Sequence, residues 1–190
     1  MGNGDAGEDA ADSALKLKIY ELIISRYREQ IEQGEHKSIS ELRERISPYN
    51  EFVKALNERL SAELKPYEYD KHFEAALQNS VNYLRTIKNM DIPVNFWIDF
   101  QTMDTLKAGD LTDKALLLTS LLRSFGSPSA KVYITRSKKV YVGYEWKGGQ
   151  HLLNPESGSM LSGEDVQRAF AEDPIVYAFS DLYFETYGEE

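Results

Sequence analysis

Residues 108–126 read AGDLTDKALLLTSLLRSFG, with Asp110 and Asp113 at the start of a long apolar run and Gly126 at its end. Two acids three residues apart are close to capping-box spacing, with Asp in place of the usual Glu or Gln. Both carboxylates also suit the positive end of a helix dipole. A helix N-terminus lowers the pKa of a thiol and offers backbone N–H groups to an oxyanion. The residue at that address is Leu111, followed by Thr112. Leucine has no lone pair and no ionisable proton, so it forms no acyl intermediate.

Other chemistry has little to draw on. The chain has no cysteine, which removes thiolate nucleophiles, disulfides and thiolate metal sites. His36, His72 and His151 are scattered without metal-ligand spacing. Asp104 with Asp110 and Asp113 could face a hard cation, but capping already accounts for two of the three. Thr112 is turned about 100° from Leu111 on a helix and has no evident base. Lys139 could act as a base if desolvated. Beside Lys138 it reads instead as a solvated edge charge that discourages strand pairing. His151 is expected to be packed or hydrogen-bonded. GYEWKGG is glycine-rich but lacks the phosphate-loop pattern and reads as a turn. No metal and no cofactor are expected.

The totals narrow the function classes. The chain has 190 residues and a net charge of −9, which argues against general nucleic-acid binding. A local basic patch is compatible with this balance, for example around Arg136, Lys138 and Lys139. No apolar run approaches the roughly 20 residues that span a bilayer. The opening MGNGDAGEDAADS is small and acidic, unlike a secretory leader. The expectation is a cytoplasmic protein without nucleic-acid or membrane partners.

Positioning elements follow from periodicity. Residues 1–12 read as a disordered tail and 13–66 as a helical N-terminal extension. Its helices are expected over 13–33, from Ser38 to about Ser47, and over 49–63. Residues 67–190 read as one α+β domain. It opens with a helix over 70–89 and a single turn over 102–106. The helix after Asp110 is apolar on nearly every side, which marks it as buried. AKVYITR and KVYVGYEW alternate as strands around an SKK turn, and KGG turns into a third strand, QHLLNP. A short helix capped by Ser162 precedes Pro174, IVYAF reads as a strand, and the last ten residues read as a wandering tail. Helices followed by antiparallel strands indicate α+β and not alternating α/β.

GDLTDKALLLTSLLRSFG resembles the transglutaminase-like, papain-related family, whose segment runs Gly-(Asp)-Cys-x-Asp-x-Ala into an apolar helix and then Leu-Arg-x-x-Gly. NFWIDFQTMDTLKAGD, with Trp97, Thr105 and Leu106, is similar to the lead-in before that cysteine. KVYVGYEWKGGQHLLNP is similar to the family's His-x-Trp strand, hairpin and terminal Asp-Pro. The resemblance implies a buried helix packed on an antiparallel sheet and a Cys-His-Asp triad. The triad positions would be Leu111, Lys139 (or Val140 if the strand slips by one) and Asn154. All three are altered, which implies a degenerate, non-catalytic domain. Trp97, Asp110, Thr112, Asp113 and Tyr141 would line a remnant groove for a protein or peptide. The alternative is a hydrolase or acyltransferase with a non-cysteine site in the same cleft.

Overall fold

A computed structural model describes residues 12–22, 24–25, 39–90 and 98–187. Residues 12–22 and 24–25 are helical, and Ile19 is buried. Trp97, His36, Ser38, residues 1–11 of the expected 1–12 tail and residues 26–33 of the expected first helix lie outside the described residues, and residue 12 is helical.

Three α-helices follow the segment over 12–25 and precede the first strand among the described residues. α1 (Ile39–Arg45) is short. α2 (Glu51–Leu60) starts where the Asn50 side chain accepts the Phe52 N–H at 2.9 Å, and it buries Val53 and Leu56. α3 (Tyr69–Leu84) buries Phe73, Ala76, Leu77, Val81 and Leu84, the i, i+3, i+4 pattern of one helical face. It ends five residues before the expected 89. The Thr86 hydroxyl donates to the Tyr83 carbonyl at 2.7 Å, a local bond that competes with helix continuation. The chain then turns to bury Ile87 and Met90.

Next come β1 (Lys88–Asn89), α4 (Phe100–Leu106) and β2 (Ala108–Gly109), the two strands forming a short parallel pair. β2 delivers the chain directly to α5 (Leu111–Ser124). A Cβ on Gly109 would stand 2.6 Å from Met103 Sδ, so only glycine fits the approach without displacing that side chain.

Lys114 to Leu122 of α5 are all buried, as an all-round apolar helix requires. α5 lies on a six-stranded antiparallel sheet. Its strands are β3 (Lys131–Thr135), β4 (Val140–Trp146), β5 (Gly149–Leu153), β6 (Met160–Ser162), β7 (Ile175–Phe179) and β8 (Phe184–Thr186), in the order β6-β5-β4-β3-β7-β8. One row across the sheet, Leu153–Val142–Val132–Phe179, is wholly buried in the core shared with α5. Val140 and Tyr144 lie on that face of β4 by alternation and are buried in the same core. The opposite face is covered by α6 (Glu164–Glu172), whose Phe170 ring lies 5.4 Å from Tyr133.

Three sequence expectations are corrected here. The cap of α6 is Gly163, with φ 57°, and not Ser162, which ends β6 in pairing with His151. Residues 160–162 form a strand where none was expected. The end of the chain does not wander, because Phe184–Thr186 pairs with β7. Among the described residues, no helix is long and apolar enough to cross a membrane.

The helical lead-in shares the core of the rest. Val53 and Leu56 belong to the same buried cluster as α5, and Asn57 Nδ2 donates to Ser124 Oγ at 2.7 Å.

Candidate functional site: the start of the central helix

Asp110 caps α5. Its Oδ1 accepts the Asp113 N–H at 2.7 Å, and Asp113 Oδ2 accepts the Asp110 N–H at 3.2 Å, so both halves of a capping box are present. Asp113 also accepts the Ile98 N–H through Oδ1 at 3.2 Å, tying the lead-in to the helix start. Asp113 is fully buried. Burial pushes its carboxyl well above the usual range and the Asp110 charge adds to that, against the two backbone N–H groups and Arg45. Both acids therefore hold the backbone.

Leu111 is the first residue of α5, half-buried and packed against the core. Thr112 is half-buried beside it, and its hydroxyl has no hydrogen-bond partner among the described residues. Lys114, one turn further on, was not singled out from the sequence. It is 2% exposed, and burial lowers its ammonium pKa despite the Glu156 carboxylate. A helix apolar on every side puts position 114 inside, so the sequence did carry that signal.

The other two positions expected for a triad have partners of their own. Lys139 precedes β4, and its Nζ lies 3.6 Å from Asp173 Oδ2, where α6 ends on the sheet face away from α5. The Ser137 hydroxyl is the main reason the Asp173 carboxyl is held at about 2. It acts against partial burial and is helped by the Thr135 hydroxyl, the Ser137 N–H and Lys139. Asn154 Oδ1 accepts the N–H of Glu156 at 2.8 Å and of Ser157 at 3.1 Å, so its carboxamide shapes the turn after β5. No bond joins Lys139 to Asn154.

Alternation along β4 places Tyr141 opposite Tyr133, on the α6 side, and Val140 on the α5 side. Asp110, Leu111, Thr112 and Asp113 thus stand together at the helix start, while Lys139 and Tyr141 lie on the far face of the sheet. His151 stacks on Tyr144 at 5.0 Å, with Nδ1 2.8 Å from Ser162 Oγ. His72 accepts the Glu68 N–H at 3.0 Å. Asp104 accepts the Tyr83 hydroxyl at 2.5 Å and pairs with Lys107, so it does not join the aspartates of α5. Among the described residues, no group of three or more His, Asp or Glu side chains could hold a metal ion.

A buried helix, entered through an acidic cap and laid across an antiparallel sheet, is the papain-like, transglutaminase-like α+β architecture. Among solved structures, the chain is similar to Legionella pneumophila LapG, at TM-score 0.55 and 14% identity over 80% of this chain and 88% of that one. EGTA-treated LapG gives 0.54 at 14% identity, over 80% and 86%. Calcium-bound LapG gives 0.52 at 14% identity, over 81% and 92%. At this identity the likeness is one of fold and marks a distant structural relationship. It spans more of the chain than residues 67–190 alone make up, so it reaches into the helical lead-in. No protein-family model and no curated protein matches the sequence.

Proposed function

We propose that this chain is a non-catalytic transglutaminase-like domain that binds a protein or peptide. The observation that carries the reading is Leu111 at the first position of α5, packed on the core where a nucleophile would stand. Filling that place with a buried leucine contributes about 1.5–3 kcal/mol at full burial, less at the half-burial seen here. The neighbours agree with it, since Lys139 is paired with Asp173 and the Asn154 carboxamide is committed to its own turn. A terminus that has lost its chemistry keeps its shape, and shape serves recognition.

A second reading keeps catalysis as a hydrolase or acyltransferase with a non-cysteine site. Lys114 favours it: a buried amine with lowered proton affinity stands one turn from Leu111, at the start of the same helix.

One experiment separates the two. The full chain is incubated with a library of amide and ester substrates and with an acyl-fluorophosphonate probe. Both are run with calcium and with EGTA, since LapG has been solved calcium-bound and EGTA-treated. The binding reading expects no turnover and no labelled residue, together with saturable capture of a peptide from a displayed library. Repeated turnover that Thr112→Val or Lys114→Met abolishes would replace it with the enzyme reading.

A further inference from the structure

A cavity of about 470 Å3 lies at the other end of β4 and β5 from residues 139 and 154. It is formed where the hairpin turn meets the start of α3. Lys147 and Gly148 both have positive φ, 49° and 76°, which makes the turn tight. Tyr69 and Trp146 wall the cavity with their rings edge to face, centroids 4.9 Å apart. Phe73 backs the indole at 4.8 Å, so Trp146 is held by packing, and its Nε1–H has no acceptor among the described residues.

The rim is acidic. Asp70, in the first turn of α3, lines the cavity and is exposed, and exposed Glu145, which alternates with Trp146 on β4, borders it from the other face of the strand. Neither forms an ion pair among the described residues. Lys147 Nζ already stands 5.3 Å from the centre of the Trp146 ring, so the indole face accepts a cation.

We propose that this cavity receives an arginine side chain from a peptide or protein partner. A planar guanidinium stacks on an aromatic face and forks to carboxylates, a pairing that a lysine ammonium does not match. A partner carboxylate or phosphate is disfavoured by Asp70 and Glu145. The net charge of −9 steers cationic partners toward the chain from a distance. The site is separate from the helix terminus at Leu111 and stands whether or not that terminus binds anything.

The test uses the full chain labelled with 15N at its two tryptophans, whose indole signals are assigned with Trp97→Phe. Acetyl-Gly-Arg-Gly-amide is titrated beside the same peptide with citrulline, which keeps the shape and loses the charge. The Trp146 signal is expected to move saturably with the arginine peptide, with citrulline at least about fivefold weaker. Asp70→Asn with Glu145→Gln weakens the arginine peptide by about fivefold or more at an unchanged thermal midpoint. Lys147→Asn, which tolerates the positive φ, tightens it about two- to fivefold by removing the resident cation. An equal response to citrulline, no movement of Trp146, unchanged binding in the double variant, or weaker binding in Lys147→Asn would each overturn the assignment.

Discussion

Asp110 and Asp113 each accept the other's backbone N–H, at 2.7 Å into Asp110 and 3.2 Å into Asp113, and only Asp113 is fully buried. The two acids therefore act differently although they share one motif. Asp110 caps at the edge of solvent, whereas Asp113 holds its carboxyl inside the protein, where burial disfavours the charged form.

A pH dependence follows for Asp113. Burial raises its folded pKa well above the unfolded value near 3.8. The folded state then prefers the protonated form. Its contribution is complete below the unfolded pKa and is lost as pH rises through the folded one. Asp113→Asn removes this titration and gives up one of two acceptors. Urea midpoints should therefore fall less steeply with pH in the variant than in the native chain, from the unfolded value near 3.8 upward. Asp110→Ala should cost about 1 kcal/mol through the lost cap. Parallel native and Asp113→Asn curves would mean that this carboxyl does not titrate in that range.

Asp173 has the opposite sign. Its carboxyl is held at about 2, first by the Ser137 hydroxyl, so its contribution is present above the unfolded 3.8 and disappears as pH falls through about 2. Ser137→Ala should move the Asp173 carboxyl back toward the ordinary range. Carbon-detected titration of the Asp173 carboxyl by NMR reads that shift directly, and an unmoved titration would assign the effect to Thr135 and Lys139 instead.

Arg123 joins the end of α5 to the turn between β7 and β8. Its Nε and Nη2 donate to the two Asp181 oxygens at 2.7 and 3.2 Å, and its Nη1 donates to the Pro128 carbonyl at 3.0 Å. Both side chains are largely buried, 13% and 14% exposed. Arg123→Ala leaves Asp181 enclosed without its partner and should cost about 3 kcal/mol in chemical denaturation. Arg123→Lys should recover less than half of that, because an ammonium cannot form the fork. A loss under about 1 kcal/mol would class the pair as an ordinary surface bridge.

Gly143 lies under the Tyr133 ring. A Cβ there would stand 2.3 Å from Tyr133 Cε2, so the ring must leave its contact with Phe170. Gly143→Ala should destabilise by about 1–3 kcal/mol. Pairing it with Tyr133→Ala should remove most of that strain, and a strictly additive double variant would place the cost elsewhere.

The sequence was most legible where the pattern was local and strong. The apolar sides of α5, the acids at its start and the KGG turn define the central helix and hairpin by local pattern alone. The end of α3 was illegible because no proline or glycine marks it. The stop depends on the Thr86 hydroxyl and on burying Ile87. β6 and β8 are three residues each, too short for a period, and exist through their pairing with β5 and β7. At the site, Asp110 and Asp113 were readable as caps, but the depth of Asp113 was not, because it depends on Ile98 arriving from outside the motif. The facing of β4 could have been read: Val140, Val142, Tyr144 and Trp146 alternate with Tyr141, Gly143 and Glu145, and the glycine and glutamate mark the side away from the core.

That alternation makes a last prediction about position 111. Val140 and Leu111 both pack on the core around α5, whereas Lys139 Nζ meets Asp173 on the other side of the sheet. An imidazole that takes a proton from a sulfur at 111 has to stand on the helix side. Leu111→Cys alone should give a thiol near the ordinary value of about 8.5, lowered somewhat by the helix terminus. Adding Val140→His should lower the thiol further and speed iodoacetamide alkylation about tenfold at pH 6–7, through an imidazolium–thiolate pair. Adding Lys139→His instead should leave the alkylation profile of the single variant unchanged. Thermal midpoints measured alongside separate a missing activation from a missing fold. If the histidine at 139 is the one that accelerates the reaction, residue 139 and not 140 faces α5 in solution, and the loss of a base cannot be argued from the pairing of Lys139 with Asp173.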